Sequence, residues 1–129
     1  MSLLAEAYDL LTVQGNPLMI NEDYVFMHTV PVVLPDGTSL KDAKNAIVKI
    51  SHILNKRAGY ASNFSREIQT SVQIQIWYEY DDSLAEQYDD LLNDYFESNG
   101  FYSFESYISV DPDIEKLYLT AKFKKTSVN

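Results

Sequence analysis

The chain contains no cysteine. That excludes a disulfide scaffold, a thiol nucleophile, an iron–sulfur cluster and every cysteine-based zinc site, and it fits a reducing compartment. Glycine is nearly as scarce. Gly15, Gly37, Gly59 and Gly100 each stand alone, so no glycine-rich loop can cradle a phosphate. Basic residues are few: ten Lys and Arg oppose nineteen Asp and Glu, a net charge of −9. A free-standing nucleic-acid binder carries the opposite balance. No apolar run approaches the ~20 residues that span a bilayer. The start, Met1-Ser2-Leu3-Leu4-Ala5-Glu6, has neither a basic region nor a signal-length apolar run, so export is not expected. A soluble chain made inside the cell, with no membrane partner, is the expectation.

The 129 residues are one domain's worth, read here as a single unit over 1–129. Their charge is unevenly spread. Residues 79–115 hold twelve acids and no base, whereas residues 116–129 hold Lys116, Lys122, Lys124 and Lys125 and no acid. An acidic block is therefore followed by a short basic tail.

Periodicity supplies the elements. Leu3, Ala7, Leu10 and Leu11 fall on one helical face, so residues 2–14 read as a helix capped by Ser2 and stopped by Gly15-Asn16-Pro17. Residues 24–34, rich in β-branched and aromatic side chains, read as a strand; Pro31 puts it at a sheet edge or ends it early. Residues 46–54 form a second strand. The third is the clearest: over 68–80, Ile68, Thr70, Val72, Ile74, Ile76, Tyr78 and Tyr80 alternate with Gln69, Ser71, Gln73, Gln75, Trp77 and Glu79. One face is then buried and the other wet or covered by a partner. Residues 55–65 make a long hairpin loop between the second and third strands. Ser83 and Glu86 form a capping box that opens a helix over 83–98, with an apolar stripe of Leu84, Tyr88, Leu91, Leu92 and Tyr95. Two strands, 101–110 and 117–124, flank the turn Asp111-Pro112-Asp113. The order α-β-β-β-α-β-β predicts an α+β domain, with a mostly antiparallel or mixed sheet of about five strands and both helices on one face.

Catalytic sets are hard to assemble. His28 and His52 sit in strand patterns without an HExxH or His-x-His spacing. They read as ordinary strand histidines sooner than as ligands. There is no Gly-x-Ser-x-Gly elbow. The pairs Asp81/Asp82 and Asp89/Asp90 would suit acid–base work or a divalent cation, but carboxylates at a helix start and on its wet face are expected anyway. A carboxylate hydrolase with a metal stays the least supported reading. No catalytic residue, metal ligand or cofactor is assigned.

Association surfaces are better represented. There are ten tyrosines, and tyrosine is enriched at interfaces, although it also fills half-wet core boundaries. Trp77 falls on the polar face of the long strand, where a large ring needs something to lean on. The positive cluster Lys56, Arg57 and Arg66 beside Tyr60 would suit the acidic Asp89, Asp90 and Asp94 of a second copy; a solvated hairpin tip fits equally well. With Lys122 and Lys124 of the basic tail, these are the candidate interface residues.

The second half also carries a resemblance. Val72-Gln73-Ile74-Gln75-Ile76-Trp77-Tyr78 leads to Asp81-Asp82, then Tyr88 to Gly100 (YDDLLNDYFESNG), then Val110-Asp111-Pro112-Asp113 and Leu117 to Lys125 (LYLTAKFKK). With the Tyr60-Ala61-Ser62-Asn63 loop, this resembles the small tail-component proteins of siphophages and prophages of Gram-positive bacteria, over about residues 45–125. The resemblance implies a tail terminator. Such a protein is a structural, non-enzymatic virion component that forms a hexameric ring on the tail tube, stops tube elongation and offers the head-joining surface. The implied partners are copies of itself, the major tail tube protein and a head-completion protein, with DNA only as passing cargo. The subunit would be monomeric until it meets the tube, and an acidic helix 83–98 facing the lumen would keep DNA from sticking. Two other readings stay open: another head–tail connector or neck component, and a small dimeric domain that binds a ligand or peptide.

Overall fold

A computed structural model describes residues 3–53 and 67–128 of the chain. It is an α+β domain of two helices and five strands in the order α-β-β-β-α-β-β. Helix α1 (Leu3–Thr12) buries Leu3, Ala7 and Leu11, the face set by the 3.6-residue repeat. Its end is held by Asn16, which is buried. The Asn16 amide donates to the carbonyls of Val13 (3.1 Å) and Ile20 (3.2 Å), and its Oδ1 accepts from the Ile20 N–H (3.2 Å). Gly15 supplies the left-handed backbone (φ 83°) that the stop requires.

A short 3-10 turn, Glu22–Tyr24, leads into strand β1 (Val25–Met27). The expected strand over 24–34 is thus cut to three residues. His28 takes φ 70°, which turns the chain off the sheet before Pro31 is reached, and Val30 packs on a separate cluster. Strand β2 (Ile47–Ile53) follows, then β3 (Glu67–Tyr78). Helix α2 (Tyr88–Glu97) crosses to β4 (Tyr102–Asp111), and β5 (Lys116–Val128) closes the chain. The spatial order is β1-β2-β3-β5-β4. Only β1–β2 is parallel; the other pairs are antiparallel, so the sheet is mixed.

Alternation along β3 does what period 2 demands. Val72, Ile74, Ile76 and Tyr78 are buried, and register puts them beside Phe123, Ala121, Leu119 and Leu117 of β5. Leu3, Ala7 and Leu11 of α1 and Tyr88, Leu92 and Phe96 of α2 enter this same cluster, so both helices cover one face. Full burial of each large apolar side chain contributes about 1.5–3 kcal/mol. The helices are also tied together: the Tyr95 hydroxyl donates to the Leu10 carbonyl at 2.7 Å.

Helix α2 starts at Tyr88, five residues later than the capping box predicts. Asp82 accounts for the difference. Its Oδ1 accepts the Leu84 N–H (2.8 Å) and its Oδ2 accepts the Tyr88 hydroxyl (3.1 Å), so residues 82–87 stay in turns. Phe96, absent from the predicted stripe, is buried against Phe101 and Phe123 at ring separations of 5.0 and 4.8 Å.

The opposite face of the sheet carries a smaller cluster. Tyr24, Leu34, Ala43 and Ile47 are buried there, with Phe26, Val30, Leu40 and Trp77 against them. This layer lies over the β1–β2–β3 end of the sheet.

Candidate interaction surface

Strand β4 is the last in the sheet, and among the described residues it pairs with β5 alone. Its sequence is Tyr102-Ser103-Phe104-Glu105-Ser106-Tyr107-Ile108-Ser109-Val110-Asp111. Register with β5 sorts the side chains. Ser106, Ile108 and Val110 oppose Ala121, Leu119 and Leu117 on the helix-covered face; Tyr102, Glu105 and Tyr107 oppose Lys124, Lys122 and Thr120 on the other. Phe104 is the extra residue of a bulge between Ser103 and Glu105.

Helix α2 touches β4 where the Ser106 hydroxyl donates to Asp89 Oδ1. Ile108 and Val110 are nevertheless 50% and 54% exposed, and Tyr102, Phe104 and Tyr107 are 44–46% exposed on the other side. Five large apolar or aromatic side chains therefore stay half-uncovered on both faces of one edge strand, the arrangement that edge strands normally avoid with lysine, proline or shortness.

The predicted interface residues are distributed around this strand. Asp89 is half-buried, accepting from Ser106 and from the Asn93 amide at 2.7 Å, while Asp90 and Asp94 face solvent on α2. Lys122 pairs with Glu105 at 3.3 Å. Lys124 lies over the rings of Tyr102 (5.9 Å) and Phe104 (5.4 Å). Lys122 and Lys124 thus share a face of the sheet with Tyr102 and Tyr107, and the sheet separates them from the acidic helix. Trp77 leans on its own chain: it stacks on Tyr118 at 5.8 Å and packs against the smaller cluster. Its indole N–H is buried with no hydrogen-bond partner. Lys56, Arg57, Tyr60, Arg66 and the 55–65 hairpin loop lie outside the described residues, as does the Ser2 cap.

Beside Trp77 is an open cavity of about 390 Å³, whose lining includes His28, Lys49, Asp111 and Asp113. His52 is exposed on β2. Among the described residues no three His, Asp or Glu side chains gather where they could hold a metal ion. No described helix is long and apolar enough to cross a membrane. No family model matches the chain, and no curated protein matches it. The surface must therefore be read from its own chemistry.

Two features escape the sequence reading. Phe104, Ile108 and Val110 are apolar in a strand that carries apolar residues on both faces; that pattern fits a strand covered on both sides as well as an uncovered one. Lys116, counted as part of the basic tail, is buried. Its Nζ donates to the Ala43 carbonyl at 2.7 Å and lies 3.7 Å from Glu79 Oε1, which Lys44 also approaches at 3.6 Å. It pins the 38–46 segment to the sheet. Its place opposite Asp111 at the turn was the available signal.

Tyrosine ionisation is suppressed on the helix side. Burial pushes the Tyr88 phenol well above its ordinary value, and the adjacent Asp82 carboxylate adds to the effect. Burial raises Tyr78 too, helped by the charges of Asp82 and Asp89. These phenols stay neutral, suited to packing and hydrogen bonding.

Proposed function

We propose that this chain is a structural subunit of a phage or prophage tail, acting as the tail terminator: a ring that caps the tube, ends its growth and presents the head-joining surface. The observation that carries the reading is the β4 edge, ten residues long with five large side chains half-exposed on both faces. A surface of that kind is suited to being covered by another protein. Two things add support. The observed order of a helix, strands, a second helix and further strands agrees with the layout of such tail proteins, in which a helix and a β-hairpin precede a second helix and further strands. Helix α2 carries Asp89, Asp90, Asp94 and Glu97 and no base, so its outer face is negative.

In the genome that encodes the chain, a stop codon early in its reading frame tests the reading. The expected result is particles with tails of unregulated length and separate, filled heads. Tails of normal length joined to heads would contradict it. Short, fixed-length tails that lack only the head joint would move the chain to the neck.

A second reading, a small dimeric domain that binds a ligand or peptide, is favoured by the open cavity of about 390 Å³ lined by Trp77, His28 and Lys49. Trp77 fluorescence titrated with small carboxylates and peptides tests it. A saturable shift abolished by Trp77→Phe would favour this reading over the tail.

A further inference from the structure

The cleft beside Trp77 brings together charges of both signs that the chain itself leaves unmatched. One wall comes from the β1–β2 side of the sheet: Lys49, on β2, and His28, just past β1. The other comes from the β4–β5 side: Asp111, the last residue of β4, and Asp113 in the turn beyond it. Trp77, on the intervening strand β3, and Leu40 supply apolar lining.

Sheet order keeps the walls apart. Strands β3 and β5 separate β2 from β4, and neighbouring strands stand about 4.8 Å from one another. Among the described residues, none of Lys49, His28, Asp111 and Asp113 makes an ion pair, whereas Lys41, Lys44, Lys116, Lys122 and Lys125 each do. Asp111 accepts the Asp113 N–H at 3.2 Å, a bond that leaves both acids charged. The backbone of His28 is left-handed (φ 70°), a conformation costly for a residue with a Cβ, and it sets the ring at the cleft where β1 stops.

A ligand of one sign fits this lining poorly. A phosphate or other anion would meet Asp111 and Asp113, and a cation alone would meet Lys49. We propose that the cleft takes a peptide segment of a partner protein in which an acidic and a basic side chain flank an apolar one. The carboxylate meets Lys49 and the His28 ring, the apolar side chain lies against Trp77, and the ammonium or guanidinium meets Asp111 and Asp113. Size agrees with this. A cavity of about 390 Å³ holds on the order of a dozen water-sized groups of about 30 Å³ each, and Glu, Leu and Lys side chains together bring about that many non-hydrogen atoms. The inference deepens the ligand- or peptide-binding reading above and rests on it; it takes nothing from the tail reading.

Trp77 is the sole tryptophan, so its fluorescence reports on the cleft. The full chain is titrated at low salt with end-blocked peptides in which Glu and Lys are separated by one to three leucines. The same peptides with Gln for Glu, Gln for Lys, or both are titrated alongside. The expected result is a saturable shift, with each loss of a peptide charge weakening binding about two- to fivefold. Lys49→Gln should erase the preference for the peptide Glu and keep that for Lys; Asp113→Asn, at an exposed turn position, should do the reverse. Both variants are checked for an unchanged circular dichroism melt, and Asp113→Asn carries the test alone if Lys49→Gln melts early. Equal affinity for the charged and Gln peptides overturns the inference and leaves the peptide-binding reading standing. A charge preference that survives the substitutions overturns it too, because binding is then elsewhere. No saturable shift with any peptide overturns both.

Discussion

Strands β3 and β4 belong to one sheet and differ in what covers them. In β3, Val72, Ile74, Ile76 and Tyr78 are buried under two helices, and two neighbouring strands use both of its edges. In β4 a single neighbour pairs along one edge, helix α2 meets the strand at Ser106, and apolar side chains stand half-exposed on both faces. The middle of the sheet is finished within the chain, and its far edge is not. A strand that leaves about half of Phe104, Ile108 and Val110 in water gains only part of their burial in the isolated domain. Their cost is justified when something outside the chain covers them.

Stability measurements can break that contrast. Phe96→Ala, at the centre of the ring cluster with Phe101 and Phe123, should lower unfolding free energy by about 3–5 kcal/mol in denaturant titration. Phe104→Ala should change it by less than about 1 kcal/mol. Equal losses would mean that β4 is as much a part of the core as β3. Lys116→Met comes next. It leaves the Ala43 carbonyl without its donor, and a loss of about 1–3 kcal/mol is expected.

The contrast also has a pH signature. Tyr78 and Tyr88 ionise less readily folded than unfolded, where the ordinary value is 10.0. The unfolded chain therefore loses protons first. Their contribution is intact below pH 10 and declines as pH rises above it. Urea midpoints measured across the alkaline range should fall, and Tyr88→Phe should make the fall shallower. An unchanged slope in that variant would remove Tyr88 from the core account. The smallest effect is expected for Ser106→Ala, which deletes the hydroxyl bond to Asp89 at an exposed site, at about 0.5–1 kcal/mol. A larger loss would show α2 covering more of β4 than the exposures indicate.

The fold was legible wherever one physical effect dominated. Thirteen alternating residues left little choice for β3, and α1 followed from Leu3, Ala7 and Leu11. Boundaries failed where local side chains competed with the backbone. Asp82 captured the Leu84 N–H and the Tyr88 hydroxyl, so the Ser83–Glu86 box lost its helix start. The β-branched run after Met27 had strand propensity, but a left-handed His28 and the packing of Val30 took it off the sheet. Charge counting could not see that Lys116 is buried. Nor could a pattern that is apolar on both sides distinguish a sandwiched strand from an uncovered edge, so the β4 surface became visible only with the sheet order in hand.

The assembly role is tested most directly by imaging tail tubes mixed with the purified chain. The expected outcome is a ring of added density at one end of each tube, lost when Ile108 and Val110 on β4 are both changed to Glu. Bare ends, or chain scattered along the tube walls, would contradict the account.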